Sequence, residues 1–362
     1  MKSKWLASIA LLVLLPSAPA QYKTALPGYR YEFPKDHFNH PDFQTEWWYY
    51  TGNLTAEGGH RFGFELTFFR EGLNPEENGH ETWDIRDLYL AHLALSDIDG
   101  EHFYHVERIN RAGPGIAGVD EAKKKIWNGN WNVSWAGSDQ QLRAIDEQFA
   151  LSLLLHSEKP PVIHGKNGVS QKAEGPGRAS HYISLTRVKT TGSIELKGKR
   201  YQVSGVSWMD HEFFTQQLDE NQAGWDWLSI QLGDNTEVML YQIRRKDGTV
   251  DPFSSGTFVD ADGRSTYLRA ADFTVAPAGE FWSSPITGAR YPIQWRISIP
   301  KMGVDLEART PLKSQEFTGH TKAAPNYWEG AIHLAGHRGS ANLTGVGYLE
   351  MTGYDHPIEM AQ

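Results

Sequence analysis

Asp210, His211 and Glu212 stand side by side in Ser207-Trp208-Met209-Asp210-His211-Glu212-Phe213, flanked by aromatic residues. A carboxylate beside a histidine sets its tautomer and raises its basicity. A carboxyl group in an aromatic, apolar surrounding has its pKa raised and can act as a general acid. In an extended segment Asp210 and Glu212 point one way and His211 the other. A polar turn with its charges in water fits the same residues. A second candidate is Trp225-Asp226-Trp227. On a strand, Asp226 faces away from both tryptophans. If it points into a barrel it needs a partner, and His211 is the natural candidate. Glu329, in Tyr327-Trp328-Glu329-Gly330, repeats the theme of an acid between aromatics, while Tyr348 and Tyr354 divide between core and pocket.

A third cluster opens the chain's first aromatic run. Asp36-His37-x-x-His40 leads into Glu46-Trp47-Trp48-Tyr49-Tyr50-Thr51-Gly52. On a strand, Trp47, Tyr49 and Thr51 share one face, and Trp48, Tyr50 and Gly52 the other. The two histidines and Glu46 are donor types that suit zinc or another divalent ion, but spacing alone is poor evidence. His37, His40 and Glu46 are expected to shape the barrel's mouth rather than hold a metal, and no cofactor is expected. Other chemistries fail on pattern. Gly205-Val206-Ser207-Trp208-Met209 lacks the second glycine of a nucleophile elbow, and His211-Glu212 lacks the following histidine of a zinc-protease helix. No dinucleotide fingerprint or phosphate loop is present. Asn53, Asn132 and Asn342 lie in glycosylation sequons, which matter only in a eukaryotic secretory route.

The elements that must position these residues read as strands. Alternation is clear in 61–70, 130–135, 180–187, 201–208, 225–232, 236–245, 293–299, 304–308, 327–334 and 341–351. Turn residues such as Glu57-Gly58-Gly59, Asn128-Gly129 and Lys246-Asp247-Gly248 separate them. The one helical candidate is the short segment 139–148. The aromatic strand at 46–54 and the alternating strand at 62–70 recur in pattern at 224–232 and 238–245, each pair ending in an arginine. The pattern predicts an all-β chain of two related domains, residues 21–200 and 201–362.

Residues 1–20 carry Lys2 and Lys4, an apolar run from Trp5 to Leu15, and Ala18-Pro19-Ala20. This is the pattern of a cleaved signal peptide, which predicts a periplasmic or secreted protein. The apolar run is too short to span a bilayer, so no transmembrane segment is expected. The chain has no cysteine, which rules out disulfides and thiolate chemistry. Its net charge of −9 becomes −11 without Lys2 and Lys4, arguing against nucleic acid and anionic membranes as partners. With 13 Trp, 15 Tyr and 16 Phe, the chain can line an apolar ligand pocket as well as fill cores.

These residues together resemble the carotenoid 1,2-hydratase (hydroxyneurosporene synthase) family, which includes AttH-like, lipocalin-like proteins encoded beside ABC transporters and fungal pericyclic cyclases. The resemblance rests on the Asp36-to-Leu54 stretch, Ala91-His92-Leu93-Ala94-Leu95-Ser96-Asp97, Trp208 to Phe213, Gly224 to Trp227, Tyr327 to Gly330, and Gly347 to Tyr354. It implies two lipocalin-like antiparallel β-barrel domains with a cleft between them. It implies that Asp210, His211 and Asp226, with Glu212 beside them, carry acid–base chemistry in that cleft. Trp208, Trp225 and Trp227 would surround them, and Trp47, Tyr49 and Tyr348 complete the expected ligand-binding set. The hydratases add water to a carotenoid double bond without a cofactor. The signal peptide places this chain with the exported branch. The expected activity is hydration, hydrolysis or isomerisation of a hydrophobic, unsaturated or lipid-like small molecule. The alternative is a non-catalytic carrier associated with an ABC export system.

Overall fold

The computed structural model describes residues 21–73, 85–319 and 326–358. Among these the chain is built of strands and three single-turn 3-10 segments, with no α-helix. The first sheet takes β1 (Thr45–Ala56), β2 (Arg61–Gly72), β3 (Asp87–Asp97), β4 (His102–Arg111), β5 (Ala117–Asp120), β6 (Lys125–Asn128) and β7 (Trp131–Ala136). It continues with β8 (Asp139–Ile145), β9 (Phe149–Ser157), β10 (Val162–Ile163), β11 (Ser170–Gln171), β12 (Ala179–Leu196) and β13 (Lys199–Phe214). Its order is β4-β3-β2-β1-β13-β12-β9-β8-β7-β6-β5, with β10 and β11 paired to β12. The sheet curls until its far side meets its near side. Asn128 of β6 donates to the Tyr89 carbonyl of β3 at 3.1 Å, and Arg108 of β4 to the Ile145 carbonyl of β8 at 3.1 Å.

The second sheet takes β14 (Gln222–Leu232), β15 (Glu237–Arg245), β16 (Ser255–Val259), β17 (Ser265–Arg269) and β18 (Thr274–Pro277). A separate hairpin, β19 (Phe281–Ser283) and β20 (Arg290–Pro292), follows. Then come β21 (Gln294–Ile299), β22 (Val304–Arg309), β23 (Glu316–Phe317), β24 (Tyr327–Arg338) and β25 (Ala341–Thr352). The order is β17-β16-β15-β14-β25-β24-β22-β21-β18, with β23 on β24. Both sheets are antiparallel and barrel-like, as expected of a lipocalin-like architecture. In each, the first strand pairs with the second and with the last: β1 with β2 and β13, β14 with β15 and β25. The sequence repeat is therefore the opening hairpin of each sheet.

Two expectations change. The 201–362 division cuts β13 away from the sheet it belongs to, because β13 is hydrogen-bonded along its length to β1 and β12. The chain passes to the second sheet only at residues 215–221. The 139–148 segment, the clearest candidate for a short helix or else a turn, contains β8 instead. Gln140, Leu142 and Ala144 alternate inward, Tyr50 donates to Gln140 at 2.8 Å, and β7 and β9 pair on either side. Two neighbouring strands override the modest helix propensity of Gln-Gln-Leu-Arg-Ala.

Three apolar clusters follow from the alternation. Trp48, Tyr50, Phe62, Phe64, Leu66 and Met209 fill the first barrel with Leu, Ile and Trp residues from β6 to β9. Leu228, Ile230, Trp295, Trp328 and Leu349 lie in the second. The third lies between the sheets, where Tyr49, Tyr182 and Trp208 of the first meet Trp227, Met239, Tyr241 and Tyr348 of the second. Each buried aromatic side chain there removes about 150–250 Å² from water, worth at most roughly 4–6 kcal/mol. Among the described residues no helix is long and apolar enough to cross a membrane.

Candidate active site

Strand registers decide which side chains meet between the sheets. Across the first sheet, Thr67, Tyr49, Asp210 and Ser184 form one row, and Glu65, Thr51 and Trp208 the next. Across the second, Tyr241, Trp227, Glu350 and Glu329 form a row. The two sheets turn these rows toward each other. Tyr49 donates to Glu329 Oε2 at 2.9 Å, and Trp227 Nε1 donates to Tyr182 Oη at 2.9 Å. The expected ligand-binding residues Trp47, Tyr49, Trp208, Trp225, Trp227 and Tyr348 all belong to this one cluster.

The expected catalytic residues divide. Asp210 faces the interface and accepts hydrogen bonds from Ser184 Oγ, Tyr182 Oη and, at 2.6 Å, Trp208 Nε1. Burial pushes its pKa up to about 7, against the pull of those three donors. Glu212 also faces this way. Ser180 and Gln217 donate to it, the latter at 2.7 Å, and Lys172 lies 3.3 Å away, its ammonium over the Tyr241 ring.

His211 and Asp226 do not join them, nor do they meet each other. Alternation turns His211 to the opposite face of β13, where its ring stacks on Trp48 and Nε2 lies 2.8 Å from Glu46 Oε1. Asp226 turns away from the Trp225–Trp227 face of β14. It pairs with Arg244 at 3.1 Å and accepts from Tyr354 at 2.9 Å. The partner it needs is this arginine, two strand positions along the neighbouring β15 and not the histidine of the other sheet. Burial raises its pKa while Arg244 pulls it back.

In place of that pair the fold brings together three glutamates. Glu65 comes from β2, Glu329 from β24, and Glu350 stands directly across from Glu329 on β25. Thr67 donates to one oxygen of Glu65, Tyr49 to one of Glu329, and Trp225 Nε1 to Glu350 at 3.2 Å. The second oxygens, Glu65 Oε2 and Glu329 Oε1, have no donor among the described residues other than the neighbouring carboxyl group, although both residues are fully buried. Thr51 Oγ1 and Tyr348 Oη, in the same cluster, also form no well-shaped hydrogen bond. Burial pushes Glu65 up to about 8 and Glu350 up to about 8, and burial together with Glu65 holds Glu329 well above the usual carboxylate range. Glu65 and Glu329 interact directly, so the pair holds at least one proton near neutral pH. The sequence offered one sign of these residues, an acid next to an aromatic residue within a strand, as in Phe64-Glu65-Leu66 and Trp328-Glu329-Gly330.

Chemically, this is an aromatic-walled junction in which carboxyl groups are held toward their neutral form. Asp210, by contrast, already accepts three hydrogen bonds, two of them on Oδ1. The glutamates are the groups free to exchange a proton with something held between the sheets.

Comparison with known proteins gives the same architecture. A crystal structure of an AttH protein from Nitrosomonas europaea superposes with a TM-score of 0.80 at 32% identity, covering 93% of this chain and 99% of that one. The crystal structure of kievitone hydratase from Nectria haematococca shares the fold with a TM-score of 0.69 at 15% identity, over 92% of this chain and 97% of that one. The dehydratase AsqC of Emericella nidulans is 19% identical over 277 residues, 74% of this chain and 77% of its own. The AttH-like family model matches residues 24–354, a span that takes in both sheets and the acids between them. The chain belongs to the AttH-like family.

Proposed function

We propose that this protein is an enzyme of the hydratase–dehydratase type, acting on a hydrophobic small molecule between the two sheets. The observation that carries the reading is the Glu65–Glu329 pair, two buried carboxyl groups in direct contact beside aromatic rings, between which one proton is shared. In the dehydrating direction the neutral member of the pair gives its proton to a substrate hydroxyl. The C–O bond breaks and water leaves. The ionised member takes a proton from the adjacent carbon, the C–H electrons form the double bond, and the pair ends with the protons it began with. Hydration is the reverse. Aromatic faces stabilise positive charge that develops on carbon. Asp210 acts as a positioning residue, fixing Tyr182 and Trp208 by hydrogen bonds. The names of the relatives, a dehydratase and kievitone hydratase, support a reaction of this class. The leader-like residues 1–20 support an exported site of action, which N-terminal sequencing of the periplasmic protein tests. Association with an ABC exporter rests on family resemblance, and co-purification with that exporter tests it.

The test uses an apolar extract of the source cells, incubated with protein in ¹⁸O-water and read by mass spectrometry. Wild type should convert a compound into one differing by a single water, labelled if water is added. Glu329→Gln should lower that rate about 10²–10⁴-fold while the compound still binds. A compound that binds tightly and is returned unchanged by wild type would make the protein a carrier.

A further inference from the structure

On the far side of β13 from Asp210, three donor side chains converge. His40 Nδ1 lies 2.7 Å from Glu46 Oε1, and His211 Nε2 lies 2.8 Å from the same oxygen. One ligand atom from each residue lies within 4.8 Å of the others. Glu46 and His211 are fully buried and His40 nearly so. The outer nitrogens are also committed, and to one residue. His40 Nε2 faces Asp36 Oδ1 at 3.3 Å, and His211 Nδ1 faces the Asp36 carbonyl at 3.0 Å. Both outer partners are acceptors, and the inner nitrogens meet Glu46 Oε1 at hydrogen-bond distance, so protons hold the three groups together and a bound cation would take the place of those protons. Metal-bound imidazoles are held in this way, with the outer N–H donated to a carboxylate or a backbone carbonyl.

We propose that His40 Nδ1, His211 Nε2 and Glu46 Oε1 bind one zinc-type divalent cation, with Asp36 orienting both rings. Two nitrogens and a carboxylate oxygen suit zinc and its first-row neighbours better than magnesium or calcium. Rigid walls fix the ligands: Phe213 stacks on His40 at 3.6 Å and Trp48 on His211 at 4.8 Å. Arg70 takes the other carboxylate oxygen at 3.2 Å and passes on to Asp87 at 3.0 Å. The cation would fasten the 35–40 segment to β1 and β13. It lies on the opposite face of β13 from the acids of the interface, so this inference does not depend on the catalytic one.

The test is zinc titration of tag-free, chelator-dialysed protein by calorimetry, with cobalt(II) absorption as a spectroscopic check. Wild type should take up one equivalent of zinc, give a visible cobalt band, and melt at a higher temperature with zinc. His40→Ala and His211→Ala should lose at least tenfold in affinity. Asp36→Asn, which keeps the three ligands, should lose about 10–100-fold, and His156→Ala on the surface should bind as wild type does. Circular dichroism establishes that each variant is folded. Wild type that takes up no zinc and gives no cobalt band, or folded His40→Ala and His211→Ala proteins that bind as tightly as wild type, would overturn the proposal.

Discussion

Glu65, Glu329 and Glu350 bind protons more tightly in the folded chain than in the unfolded one, so their burial links stability to pH. Burial raises Glu65 and Glu350 to about 8, and Asp210 to about 7. Below the ordinary carboxylate range both states are protonated and the groups contribute no pH dependence. Above the ordinary carboxylate range the unfolded chain has lost these protons while the folded chain keeps them up to about 8, so stability falls from about pH 5 to about pH 8. Replacing Glu65 by Gln keeps a neutral partner for Thr67 and removes one titrating group. The wild-type melting temperature should therefore drop between pH 5 and pH 8, and Glu65→Gln should flatten the drop by an amount on the order of 1–3 kcal/mol. A variant whose profile runs parallel to wild type would show that Glu65 is not held neutral. The opposite orientations of Asp210 and His211 could be read from alternation alone. The meeting of Glu65 with Glu329, 264 positions later, could not, because one strand does not reveal which strand of another sheet will face it.

At the scale of the strand, β1 is the element on which both faces depend. Glu46, Trp48 and Tyr50 turn to the first barrel, and Trp47 and Tyr49 to the interface. Gly52 keeps this strand close to its neighbours. A Cβ there would lie 2.4 Å from the Phe64 ring and 2.5 Å from Ser207 Oγ. Its backbone is ordinary, so the constraint is one of space, not of φ. Gly52→Val should destabilise the fold by about 1–3 kcal/mol through overpacking, read as a lower urea midpoint with unchanged m-value. An unchanged midpoint would mean that Phe64 swings aside without loss. Hairpins such as β1–β2 and β14–β15 were legible because an aromatic strand, a glycine turn and an alternating strand follow one another. The 139–145 strand was not, because its inward Gln140 reads as polar until Tyr50 is seen to satisfy it. Nor was the sheet membership of β13. Its sequence carries the same alternation in either sheet, and only its pairing with β1 and β12 decides.

Over the whole molecule, the sheets are joined by polar bonds as well as by aromatic rings. Asn53 donates to the Gly347 carbonyl at 2.9 Å, His92 Nδ1 lies 2.7 Å from Tyr327 Oη, and His164 Nδ1 lies 2.8 Å from Thr257. A charged junction forms at Glu237 of β15, fully buried, which holds Lys159 at 2.7 Å and also Arg187 of β12. Lys159 extends the junction to the carbonyls of Asn235 and Asp260 at 2.6 and 2.8 Å. Glu237→Gln leaves two buried or half-buried cations facing an amide, which should cost about 3–5 kcal/mol. Because Arg187 comes from the first sheet, Lys159 from the connection between its β9 and β10, and the carboxylate from the second sheet, the loss falls on the junction and not on either core. Unfolding should then change character. Wild type should lose tryptophan fluorescence and β-sheet dichroism in one coincident urea transition, as a two-state unit does. In Glu237→Gln the fluorescence of Trp208 and Trp227, which meet edge-to-face across the junction, should change at lower urea than the sheet signal. If the two signals stay coincident and the midpoint does not move, the aromatic packing alone couples the sheets. The acids between them would then owe their dry surroundings to the tyrosines and tryptophans rather than to this ion cluster.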